Sequence, residues 1–168
     1  MAETIADLLV PHRHDRPAIG APGRPWLDYG QLDRLAKATR QSLNVLGIGR
    51  GDRVAIVLPN GPEMATCFVT VATGAVTAPL NPAYREEEFD FYLADLDAKA
   101  LIVAEDDEGP AVAVARRRGV QVVRLAVKEG SAAGDFALRA EEVAAEAPAA
   151  GTGLAEPDDV GLVLHTSG

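Results

Sequence analysis

The chain alternates short apolar runs with amphipathic segments, and this alternation limits its folds more than any other feature. Residues 53–58 include five apolar residues in succession, and residues 75–80 form a second short, mostly apolar run. One helix, predicted over residues 62–73, joins the two runs. Two buried strands joined by a single helix form a βαβ unit, so we expect parallel strands and a right-handed connection.

Similar patterns continue along the chain and predict an α/β fold, a mostly parallel sheet flanked by helices. Asn60 is predicted to cap the helix at 62–73, and Asp28 is predicted to cap the helix that follows it. The remaining predicted elements are, in chain order, a helix at 4–9, a short strand near 26–29, a helix at 31–46, a helix at 85–96, a strand at 100–104, a helix at 110–118, a strand at 120–125 and a strand at 160–164.

Composition divides the chain into three parts. Residues 1–125 carry the alternating pattern and form the predicted α/β core. Residues 126–157 are rich in Ala, Glu and Gly, and we expect a loose connector there with one short helix at 136–145. Residues 158–168 are predicted to form a strand that leads into a phosphate-binding loop, of which only the first residues are present.

Charge and composition exclude several classes of function. The 168 residues carry 16 basic and 25 acidic side chains, a formal net charge of −9, which is not the basic surface of a nucleic-acid-binding protein. Pro, Gly or charged residues interrupt every apolar run well before the roughly 20 residues that a membrane span needs. The single cysteine, Cys67, cannot form an internal disulfide and is predicted to be a small buried hydrophobe. We therefore predict a cytoplasmic protein.

A few residue pairs and runs have both a functional and a structural interpretation, and the structural one is favoured. His12 and His14 lack a third ligand at a convincing spacing, so we predict no metal site. Trp26 and Tyr29 are predicted to be packing residues. The arginines at 116–118 end a predicted helix, where positive charge suits the helix dipole, rather than form a phosphate site.

The last three residues have a chemical signature. Thr166, Ser167 and Gly168 follow the predicted strand at 160–164, with only His165 between. Small residues let backbone N–H groups approach a phosphate, and hydroxyl groups donate to its oxygens. The tripeptide alone is also ordinary turn chemistry, so its meaning depends on its context.

That context is a set of motifs in a fixed order. The chain carries LDYGQL at 27–32, TGAVTAPLNP at 73–82 and PDDVGLVLHTSG at 157–168. In order and spacing they resemble the adenylate-forming superfamily, which includes acyl-CoA synthetases, aryl-CoA ligases and peptide-synthetase adenylation domains. The segments PNGPE at 59–63, TAPLNPAY at 77–84 and EFDFYL at 88–93 look like the oxalate–CoA ligase branch, and fatty-acyl-CoA and aryl-CoA ligases share much of this pattern.

The resemblance implies an ATP-dependent carboxylate–CoA ligase. In that family a carboxylate attacks the α-phosphate of ATP, and coenzyme A then displaces AMP from the acyl-adenylate, with Mg²⁺ offsetting phosphate charge. It implies ATP phosphate contacts for Thr166, Ser167 and Gly168. The family's catalytic residues match no position up to Gly168, so we expect the chain alone to be inactive and to bind none of the three cofactors tightly.

Two questions stay open from the sequence. Oxalate is the favoured substrate, with fatty and aromatic acids as alternatives. A non-catalytic α/β module that binds a nucleotide or a partner chain is the alternative function. In either case we expect the chain by itself to self-associate through exposed apolar surface or a strand edge.

Overall fold

A computed structural model describes residues 3–9, 14–141 and 151–165. Helices alternate with strands over most of this range, which confirms the predicted α/β class. The elements are α1 Ile5–Leu9, β1 Pro17–Ile19, β2 Leu27–Asp28, α2 Tyr29–Val45, β3 Arg53–Val57, α3 Pro62–Val71, β4 Val76–Pro79, α4 Glu86–Asp95, β5 Ala100–Ala104, α5 Pro110–Arg118, β6 Gln121–Ala126 and β7 Ala137–Ala140.

The main sheet has five strands in the order β4-β3-β5-β6-β7, and β1 and β2 form a separate antiparallel pair. The pairs β3–β4, β3–β5 and β5–β6 are parallel, as predicted for βαβ units. Val54 lies in register with Thr77 on one side and with Ala100 on the other. The first strand of this sheet in chain order, β3, therefore lies between its two successors, β4 and β5.

Both faces of the sheet are covered, which explains why its central strands are apolar throughout. On β3, Val54 and Ile56 belong to the cluster formed with α2 and α3. The intervening Ala55 and Val57 belong to the cluster formed with α4 and α5. Side chains alternate between faces along a strand, so these two clusters show that α2 with α3 and α4 with α5 lie on opposite faces.

Local sequence accounts for the helix boundaries. Asp28 caps α2 as predicted: its Oδ1 accepts a hydrogen bond from the Gln31 backbone N–H at 2.6 Å, and Gln31 Oε1 accepts from the Asp28 N–H at 2.9 Å. This capping box starts α2 at Tyr29, two residues before the predicted start. The prediction that Asn60 caps α3 is wrong, because the cap residue is Gly61 and Pro62 occupies the first helical position.

The predicted helix at 136–145 is also wrong over residues 136–141, and its remaining residues, 142–145, lie outside the described residues. Residues Ala137–Ala140 form β7, which pairs antiparallel with β6 and adds a fifth strand to the sheet. Leu138 packs against the cluster under α2, and Phe136 is buried in it. Alanine, leucine and arginine favour helices locally, but pairing with the open edge of β6 and burial of these side chains outweigh that preference.

Candidate functional site

Residues 160–165 run along the outer side of β4. Leu162 forms a parallel bridge with Thr77. The Thr77 N–H donates to the Gly161 carbonyl at 3.1 Å, and the Val163 N–H donates to the Thr77 carbonyl at 3.0 Å. The predicted strand at 160–164 is thus one parallel bridge rather than a regular strand. Its direction carries the chain toward the edge of the sheet where β3, β4, β5 and β6 also end.

The segment before this bridge is held by Arg50, in the loop that precedes β3. The Arg50 guanidinium donates to both carboxylate oxygens of Asp159, at 2.6 Å and 3.1 Å, and to Glu156 at 2.5 Å. The bonds from Arg50 to Asp159, together with one from the Glu156 backbone N–H, hold the pKa of Asp159 below its ordinary value. The Arg50 N–H also donates to the Gly151 carbonyl at 2.8 Å, and the Ala155 N–H donates to the Thr73 carbonyl at 2.9 Å. Residues 151–159 are therefore fixed to the body of the sheet.

His165 is the last described residue of this segment, and it docks on α4. Its Nε2 lies 3.0 Å from Asp95 Oδ2, and its ring centroid lies 4.5 Å from that of Tyr92. The carboxylate can only accept, so Nε2 carries the hydrogen of this bond. The His165 Nδ1 atom is buried and has no hydrogen-bond partner in the described part of the chain.

Tyr92 belongs to a group of aromatic side chains at the same place. Its ring stacks on that of Tyr84 with centroids 5.0 Å apart, and Phe91 meets it edge-on at 5.2 Å. Hydrogen bonding with Tyr92 and partial burial raise the pKa of the Tyr84 phenol. Tyr84 also packs edge-on against the buried Phe89. The aromatic group thus connects His165 to the core beneath α4.

A second feature of this sheet edge is a cleft of about 560 Å³ between the ends of β3, β5 and β6. The chain leaves β3 toward α3 on one face of the sheet and leaves β5 toward α5 on the other face, and the cleft lies between these two connections. Open α/β sheets commonly bind ligands at such a position. Residues 58–63 form one wall. The other wall includes the carboxylates Glu105, Asp106 and Asp107, which repel phosphate groups. The acidic cleft is therefore a poor place for a nucleotide.

The predicted phosphate-binding residues Thr166, Ser167 and Gly168 lie outside the described residues, so their role stays a prediction. The described neighbour that leads into them is His165. The structure brings it to the carboxyl edge of the sheet, the side on which a phosphate-binding loop following a parallel strand is expected.

Other residues singled out from the sequence have structural roles or stay untested. His12 lies outside the described residues, and no group of three His, Cys, Asp or Glu within 3–9, 14–141 and 151–165 could hold a metal ion. Cys67 is fully buried on α3, as predicted, and burial raises the pKa of its thiol. Trp26, predicted to be a packing residue, is 64% exposed, although its ring covers the face of Gly20.

The arginines that end α5 form ion pairs with carboxylates, as a structural role requires. Arg116 contacts Glu108, and Arg117 and Arg118 contact Asp90 on α4. The hydrogen bonds from Arg118 and from Arg117 lower the pKa of Asp90 to about 2. Sequence reasoning missed the contact between His165 and Asp95. Tyr92 and Asp95 are three residues apart on one helix, a spacing that places them on one face, but their partner lies 70 residues further on.

Comparison with known proteins agrees with this arrangement. The family described as "AMP-binding enzyme" matches residues 10–168, so the chain belongs to that family. Over 156 residues it is 34% identical to an oxalate–CoA ligase of Arabidopsis thaliana, which covers 92% of this chain and 30% of the relative. It is 32% identical over 143 residues to a long-chain-fatty-acid–CoA ligase of Mycobacterium tuberculosis, covering 84% of this chain and 27% of the relative.

A solved structure shares the fold along the whole chain. The apo form of MatB from Rhodopseudomonas palustris superposes with a TM-score of 0.74 at 25% identity, covering 100% of this chain and 33% of that one. The chain thus spans about a third or less of the length of these relatives. Within the described residues, no helix is both long and apolar enough to cross a bilayer.

Proposed function

We propose that this chain is the first part of an ATP-dependent carboxylate–CoA ligase, in which Thr166, Ser167 and Gly168 contact the phosphates of ATP. The observation that carries the proposal is the path of residues 160–165. They run parallel to β4 and end at the carboxyl edge of the sheet. A loop of small and hydroxyl-bearing residues at that edge can direct N–H and O–H groups at a phosphate.

The reaction that we propose has two steps. The substrate carboxylate attacks the α-phosphate of ATP and releases pyrophosphate, and the thiol of coenzyme A then attacks the acyl-adenylate and releases AMP. Mg²⁺ neutralises phosphate charge in such a reaction. We assign no Mg²⁺ ligand here, because the described residues contain no suitable group of carboxylates or histidines.

We favour oxalate as the carboxylate, supported by the 34% identity to the plant oxalate–CoA ligase. Fatty acids are the first alternative, supported by the 32% identity to the mycobacterial long-chain ligase, and aromatic acids are the second. The free, buried thiol of Cys67 supports our prediction of a reducing, cytoplasmic compartment. We further propose that residues 1–168 alone do not catalyse the reaction.

The test is carboxylate-dependent exchange between ATP and pyrophosphate, measured in the complete protein that contains this chain. We expect exchange with oxalate to exceed exchange with fatty or aromatic acids. Ser167→Ala should raise the KM for ATP. Ser42→Ala is the matched control, because Ser42 lies near the end of α2 that leads into β3, at the opposite edge of the sheet.

Three results would overturn parts of the proposal. The absence of exchange with any carboxylate would refute the assigned function. An unchanged KM for ATP in Ser167→Ala would refute the assigned phosphate contact. Exchange catalysed by the purified 168-residue chain would instead remove only the claim that these residues are inactive alone.

A further inference from the structure

Asp95 occupies a position on α4 where a carboxylate does not stabilise the helix. It is the last residue of α4, where the carbonyl groups of the final turn already carry partial negative charge. Its side chain is 57% exposed, so it fills no space in the core. The acidic residues in the first turn of the same helix, Glu86, Glu87 and Glu88, are placed where the dipole favours them. The position of Asp95 therefore requires an explanation other than helix stability.

His165 supplies that explanation. Its side chain is only 18% exposed, and its Nε2 donates to Asp95 Oδ2 at 3.0 Å. The ring also packs against Tyr92, one turn back on α4. The nearest backbone hydrogen bond runs from the Val163 N–H to the Thr77 carbonyl, two residues before His165 in the chain. The bond to Asp95 is thus the described side-chain contact closest in sequence to Thr166.

We propose that Asp95 is a positioning residue for nucleotide binding, acting through His165. By holding Nε2, the carboxylate fixes the His165 ring on Tyr92 and so fixes the backbone from which Thr166, Ser167 and Gly168 follow. This inference rests on the proposed function, because it assumes that those three residues contact ATP. In this proposal Asp95 itself contacts no substrate; it holds His165, which precedes the three residues that do.

The experiment uses the complete protein and measures KM for ATP and kcat in the exchange reaction, with the melting temperature as a fold control. Asp95→Ala should raise KM for ATP about five- to tenfold, the loss expected for one charge-assisted hydrogen bond that is partly open to water. kcat at saturating ATP should stay within about twofold, since Asp95 does not touch the reacting atoms. Asp95→Asn should restore most of the affinity, because the amide oxygen still accepts from Nε2.

Two further variants separate positioning from general effects. Glu87→Ala removes an exposed carboxylate from the same helix and should leave KM unchanged. His165→Phe keeps a ring against Tyr92 but removes the donor, so it should match Asp95→Ala. Combining it with Asp95→Ala should add little, as expected for two residues that act through one bond.

The stability readout distinguishes this role from a structural one. Removing a carboxylate from the C-terminal end of a helix should leave the melting temperature unchanged or raise it, while KM for ATP rises. If Asp95→Ala has the same KM as Glu87→Ala while Ser167→Ala raises KM, the positioning role is wrong and the proposed function stands. If Ser167→Ala also leaves KM unchanged, the proposed phosphate contact fails, and the inference fails with it.

Discussion

Gly134 lies in a part of the chain, residues 126–135, that is predicted to be a loose connector, but it packs closely against α3, and its lack of a side chain permits this contact. Gly134 has φ +84°, and a Cβ atom placed there would lie 2.6 Å from Thr66 Cγ2 and 3.0 Å from the Pro62 carbonyl. Its own carbonyl accepts from Thr66 Oγ1 at 2.7 Å, and its N–H donates to Glu63 Oε1 at 3.1 Å. Alanine at this position should therefore be poorly tolerated.

Gly130 provides the matched control. It also has a positive φ, +75°, but no atom lies within 4 Å of a Cβ built on it. The left-handed conformation costs alanine about 1 kcal/mol at either position. Only Gly134→Ala adds the cost of overpacking, about 1–3 kcal/mol. The expected loss of stability is about 2–4 kcal/mol for Gly134→Ala and about 1 kcal/mol for Gly130→Ala.

Urea unfolding of each variant, followed by circular dichroism, measures the two losses. In thermal unfolding, a loss of about 3 kcal/mol lowers the melting temperature by about 6–12 °C in a domain of this size, against about 2–4 °C for the control. Any reduction in the entropy of the unfolded chain applies equally to both substitutions and cancels in the comparison. Equal losses for the two variants would refute the close packing of Gly134 on α3.

Three other predictions follow from the described contacts. Because Arg50 depresses the pKa of Asp159, the ion pair between them should stabilise residues 151–159 fully above the carboxyl's unfolded pKa of about 3.9. This stabilisation should be lost as the pH falls through the lower pKa of the folded protein. Hydrogen exchange at the Ala155 N–H should show the loss, and Asp159→Asn should abolish the pH dependence of that exchange. The Cys67 thiol should react slowly with iodoacetamide at pH 8 and rapidly in urea, whereas rapid native labelling would contradict its burial. The 168-residue chain should self-associate through the exposed apolar side chains of Val160, Leu162 and Leu164 beside β4. Leu164→Lys should weaken the self-association measured by sedimentation velocity, and a monomer at every concentration would refute the prediction.

The sequence predicted elements best where one type of interaction decided the outcome. The strand Ala100–Ala104 and the helix Pro110–Arg118 have the predicted bounds, because continuous burial defines the strand and Pro110 with Gly119 defines the helix. The prediction from the sequence failed at Ala137–Ala140, where the residue types favour a helix but the unpaired edge of β6 favours a strand. Local helix preference reflects only the nearest residues along the chain, whereas the paired residues of β6 lie 11 to 17 positions earlier.

The same limit applies to the candidate site. The residue types at 166–168 pointed to phosphate chemistry, and the resemblance gave them a family, which the comparison confirmed. The contact between His165 and Asp95 could not be predicted, because it depends on residues 160–165 lying beside β4 and on α4 lying close enough for His165 to reach. Sheet order, rather than spacing along the chain, places these two residues together.

Net charge is likewise a poor guide to where this chain can bind an anion. The three arginines at the end of α5 are the most basic run in the sequence, yet each is paired with a carboxylate in the structure. Arg124 is largely buried and is paired with Glu108 and Glu141. Phosphate at any of these sites would have to displace a carboxylate. A loop of small residues at the sheet edge would instead bind a phosphate through backbone N–H and hydroxyl donors, whatever the net charge.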